Sequence, residues 1–66
     1  MSEIVKTKVS KKQAKELIQQ FQQNPHFDNF SKPEHEYYTF ADKKGGTIIT
    51  IYKFDKKYYL EIFSGS

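Results

Sequence analysis

TIITIYKF-DK-KYYLEIF, residues Thr47 to Phe63, is the stretch on which the fold turns. Two runs rich in β-branched and aromatic residues flank a short Asp-Lys turn, the pattern of an antiparallel hairpin. A two-residue turn at Asp55 and Lys56 pairs Phe54 with Lys57 and sets the register outward from there. Lys53 then faces Tyr58, Ile51 faces Leu60 and Ile49 faces Ile62, all on one side of the ribbon. The other side carries Ile48, Thr50, Tyr52, Phe54, Tyr59, Glu61 and Phe63. A sheet with one solvated face should alternate apolar with polar residues. Here both faces are largely apolar or aromatic, so the second face calls for a cover, from this chain or from a partner.

One element of the chain can cover a single face. Ser10 and Gln13 stand at capping-box spacing, with Val9 and Ala14 placed for a hydrophobic staple. Ala14, Leu17, Ile18 and Phe21 follow at i, i+3, i+4 and i+7, which predicts an amphipathic helix over 10–24. Asn24-Pro25 ends it, because a proline drives the residue before it into extended conformations. Lys11, Lys12 and Lys15 crowd the first turns, where the helix dipole disfavours cations. Their simplest reading is a solvated face; the sharper one is a basic patch toward an anionic partner.

Around these elements, 3–9 alternates weakly and reads as either an edge strand or a frayed terminus. Residues 25–35 read as a polar loop, with Phe27 and Phe30 expected to plug the end of the core. A strand over 36–42 leads through Asp42-Lys43-Lys44-Gly45-Gly46 into the hairpin, a glycine supplying the positive φ of the turn. A four-residue loop there sets Tyr38 and Phe40 beside Ile49 and Ile51, and is preferred because it gathers more apolar surface under the helix. Ser64 to Ser66 read as a flexible end. The expected fold class is therefore α+β: a single domain over 1–66, with one helix on a three-stranded antiparallel meander of 36–42, 47–54 and 57–63, and 3–9 as a candidate fourth strand. Leu17, Ile18, Phe21, Ile49, Ile51, Leu60 and Ile62 form the expected core.

Composition narrows the function. The 66 residues contain six Phe and five Tyr but no cysteine, so no disulfide or thiolate metal site supplements a small core. All eleven basic residues are lysines, the net charge is +3 and the chain lacks arginine. Arginine's planar fork is the commonest reader of guanine, so sequence-specific duplex recognition is disfavoured while non-specific phosphate attraction is not. Heavy use of Lys, Ile, Phe and Tyr suggests a low-GC bacterial or phage genome. No apolar run is long enough to span a bilayer, and a cytoplasmic location is the expectation.

Catalytic motifs are missing from the sequence. It holds no glycine-rich phosphate loop, no cysteine nucleophile and no serine elbow. His26, Asp28, Glu34, His35 and Glu36 share a loop, but at no recognised ligand spacing, so no metal is assigned. Neither a catalytic residue nor a cofactor or small-molecule site is expected in so small a domain.

Two binding functions are left. A protein-interaction module would use Ile48, Tyr52, Phe54, Tyr59 and Phe63 as a partner-binding face, against another protein or a second copy in a homodimer. A non-sequence-specific nucleic-acid binder would stack bases on the same rings, with Lys43, Lys44, Lys53, Lys56 and Lys57 on phosphates. The first is the main expectation, because Glu61 lies within the face and arginine is absent.

Overall fold

A computed structural model describes residues 3–65. β1 (Glu3–Val9) leads into α1 (Lys11–Gln23), which is followed by β2 (Phe27–Asn29), a 3₁₀ turn at Pro33–His35, β3 (Tyr37–Asp42), β4 (Thr47–Phe54) and β5 (Lys57–Ser64). The five strands form one antiparallel sheet in the order β1-β5-β4-β3-β2. β1 and β2 are thus the two edges, and α1 carries the chain from one to the other. At 1.5 Å per residue its 13 residues reach about 20 Å, enough to cover the middle of one sheet face.

The helix begins where its capping residues place it. Ser10 Oγ accepts from the Gln13 N–H and Gln13 Oε1 accepts from the Ser10 N–H, both at 3.1 Å. Val9 packs against the cluster that contains Ala14. The Asn24 cap is extended, as the following proline requires. Ser10→Ala should lower stability by about 1 kcal/mol, since it strips a helix-terminal donor of its partner. Chemical denaturation would register this as a lower midpoint with an unchanged slope, and an unmoved midpoint would mean the cap contributes nothing.

The hairpin register is the expected one: Phe54 pairs with Lys57, Ile51 with Leu60 and Ile49 with Ile62. Asp55 and Lys56 both take positive φ, at 52° and 63°, the mirror-image turn whose twist matches the flanking strands. The preceding loop has four residues and sets Tyr38 opposite Ile51 and Phe40 opposite Ile49. Asp42 Oδ1 accepts from the Lys44 N–H at 2.9 Å, and Gly45 and Gly46 take positive φ. A Cβ on Gly46 would come within 3.0 Å of the Gly65 carbonyl oxygen, so this glycine also permits a close backbone approach.

Ala14, Phe40, Ile49 and Ile51 are buried, and Leu17, Ile18, Phe21, Leu60 and Ile62 pack half-buried around them. Phe21 anchors the helix: its ring stacks on Phe40 at 5.5 Å and meets Phe27 edge-on at 5.1 Å. The expected core is present, but Phe40 and Ala14 are its deepest members besides Ile51.

Four features differ from the sequence expectation. The sheet has five strands, because 3–9 is a full edge strand and Phe27–Asn29 adds a short one on β3. Phe27 packs under the helix but Phe30 is 62% exposed. The two lie three residues apart on extended chain, which sends them to opposite faces. Glu36 stands outside β3, as a left-handed residue (φ 51°) closing the 3₁₀ turn. Ser64 ends β5 rather than opening a loose tail, and the Gly65 N–H donates to the Gly46 carbonyl at 2.7 Å. Met1, Ser2 and Ser66 lie outside the described residues.

Candidate functional site

With α1 on one face, the strand registers define what the other face presents. Three rows of side chains cross it. Ile4, Phe63, Ile48 and Ala41 form an apolar row; Lys6, Glu61, Thr50 and Thr39 form a polar one; Lys8, Tyr59, Tyr52 and Tyr37 form the third. Phe54 extends the surface toward the β4–β5 turn. The apolar residues are open to solvent: Ile4 is 61%, Ile48 40% and Phe54 68% exposed. Among the described residues no helix lies over them, and residues 27–29 widen the sheet instead of folding across it. Ile48, Tyr52, Phe54, Tyr59 and Phe63 therefore share one face, as the hairpin register implied.

The tyrosines form a ladder. Tyr52 and Tyr59 stack at 5.6 Å with planes 28° apart, and Tyr37 follows Tyr52 at 6.4 Å. The Lys6 ammonium sits 4.9 Å from the Tyr59 centroid and 5.7 Å from that of Tyr52. Hydrogen bonding to the Tyr52 hydroxyl is the first cause holding the Lys6 pKa above its ordinary value, with attraction to Tyr52, Glu61 and Tyr59 adding to it and desolvation opposing it. Lys6 was not singled out in the sequence. Its role depends on β1 docking beside β5, which sets Lys6 opposite Glu61, and that charge pairing is the signal that could have placed it.

The lysines divide into two groups at opposite ends of β4. Lys43 and Lys44 occupy the β3–β4 turn, with Lys43 Nζ 4.0 Å from an Asp28 carboxylate oxygen. Lys53, Lys56 and Lys57 lie at the β4–β5 turn. Lys53 is on the helix-side row with Tyr58, and its Nζ lies 3.8 Å from a Glu36 carboxylate oxygen. The three N-terminal helix lysines, Lys11, Lys12 and Lys15, are all exposed.

Among the described residues, no three His, Cys, Asp or Glu side chains are grouped to hold a metal, so His26, Asp28, Glu34, His35 and Glu36 do not converge. No described helix is long and apolar enough to cross a membrane. Comparison with family models, curated proteins and solved structures returns no match for this chain.

Proposed function

We propose that this chain is a small, non-enzymatic interaction module that binds a protein partner, another protein or a second copy of itself, through the open face of its sheet. The observation that carries this reading is the bare apolar row. Ile4 and Ile48 are exposed beside half-buried Phe63, and the tyrosine ladder lies across the polar row from them on the same face. Contiguous exposed apolar surface rimmed by polar groups is the mark of an interface. Tyrosine and phenylalanine are also enriched in interface cores.

The same face supports base stacking less well. A base needs a free ring face, yet Tyr52 and Tyr59 lie against each other and the Lys6 ammonium covers both. Glu61 adds a negative charge to the central row, and Lys53 lies on the other side of the sheet. A protein surface makes no such demand, because tyrosine edges and hydroxyls are themselves useful contacts.

Light scattering across concentration and ionic strength tests the self-association arm first, and affinity capture with the tagged chain tests the other. Ile48→Asp is the diagnostic variant, since its side chain is already 40% exposed and the fold should tolerate the change. The parent should form a salt-insensitive dimer or retain a defined protein, and Ile48→Asp should lose either. An Ile48→Asp variant that retains the same partner at the same strength would sink the proposal.

A further inference from the structure

A second surface lies at the end of the molecule, away from the apolar row. Pairing of Val9 with Tyr58 brings the end of β1 and the start of α1 against the tip of the β4–β5 hairpin. Lys8, Lys11, Lys53, Lys56 and Lys57 thereby line a concave groove of about 380 Å³, with Tyr58 among its walls. These lysines come from two segments far apart in sequence, 8–11 and 53–57. No carboxylate is among the described lining residues, although a Glu36 carboxylate oxygen lies 3.8 Å from Lys53 Nζ and Asp55 precedes Lys56 in the turn.

Two further observations fit an anion in this place. The helix that begins here has no acidic residue in its first turn, and its capping box is completed by Gln13, a neutral side chain where glutamate would serve as well. The helix's own first turn thus adds no counter-charge to Lys8 and Lys11, and Glu36 pairs only with Lys53 among the groove lysines. Lys56 also has φ of 63°, a conformation that glycine adopts without strain and lysine does not. Asp-Gly would be the easier turn, and Asp-Lys places a charge at the mouth of the groove instead.

We infer that this groove binds a phosphate-bearing anion. Lysine ammoniums are compact point charges suited to phosphate oxygens without demanding a fixed orientation. The room available exceeds that of a single phosphate, so a chain of phosphates suits it best: the backbone of a single-stranded nucleic acid, or polyphosphate itself.

The test is fluorescence anisotropy of a labelled single-stranded oligonucleotide with the full chain, at several salt concentrations. The parent should bind with an affinity that falls steeply with salt. Lys56→Gly should bind roughly fivefold more weakly near 0.1 M salt, the effect of losing one phosphate contact on a single strand. It should melt no lower than the parent, because glycine relieves the strained turn. That separation excludes misfolding as the cause. Lys8→Gln with Lys57→Gln should weaken binding further, whereas Lys43→Gln with Lys44→Gln, at the far end of β4, should leave it unchanged.

Competition distinguishes the sources. Polyphosphate displacing the oligonucleotide as well as unlabelled DNA does assigns the groove to phosphate alone; displacement by DNA only assigns it to nucleic acid. Polyglutamate competing as well as either would overturn the phosphate assignment in favour of an acidic protein. Absence of binding by the parent, or groove variants that bind like the parent, would overturn the inference outright.

Discussion

Phe40→Ala should be among the most damaging single truncations in this chain, with an expected loss of about 3–5 kcal/mol. The ring is fully buried, stacks on Phe21 at 5.5 Å, and pairs across the sheet with Ile49. Removing it leaves a void at the junction of α1, β3 and β4. A domain of this size has a total stability of only several kcal/mol, so the variant is expected to be largely unfolded at 25 °C. Leu17→Ala should cost less, because Leu17 is only half-buried and its removal opens less new cavity. Circular dichroism melts of both would check the order. A Phe40→Ala protein that melts with the parent, or above Leu17→Ala, would show that the Phe21–Phe40 stack does not hold the helix to the sheet.

Phe40 also illustrates what the sequence could and could not convey. Its side of the sheet was legible, because only the four-residue β3–β4 loop gathers Tyr38 and Phe40 with Ile49 and Ile51 under one apolar helix stripe. The helix and the β4–β5 register were legible for similar reasons: strong periodicity, and turn or cap chemistry at the boundary. The edges were not. β1 alternates weakly because it is buried weakly, with Val5 half exposed even on the helix side. β2 is three residues long, too short for any period, and is held by pairing with β3 and by the contact of Phe27 with Phe21. The open face could be enumerated from β4 and β5 alone, but its Lys6 clamp needed the position of β1. The lysine groove was still less visible, since Lys8 and Lys11 meet Lys53, Lys56 and Lys57 only through β1–β5 pairing.

Tyr59→Ala and Leu60→Ala, adjacent in sequence, should separate the two faces. Leu60 points under the helix, where it packs against the core, and its truncation should cost about 2–3 kcal/mol of folding stability. Tyr59 points the other way, stacked on Tyr52 and under Lys6. Its removal forfeits an aromatic pair worth about 0.5–1.5 kcal/mol and opens no internal cavity. Binding should rank the two in reverse. A central aromatic anchor typically contributes more than about 1–2 kcal/mol to an interface, so Tyr59→Ala should raise the dissociation constant for the bound protein, or for the dimer, by at least about tenfold. Leu60→Ala, measured at a temperature where it remains folded, should bind nearly as the parent does. The pair of melts and titrations has one outcome that removes the interaction reading. If both variants unfold to the same degree, Tyr59 serves the core as Leu60 does, and the open face has no ring to spare for a partner.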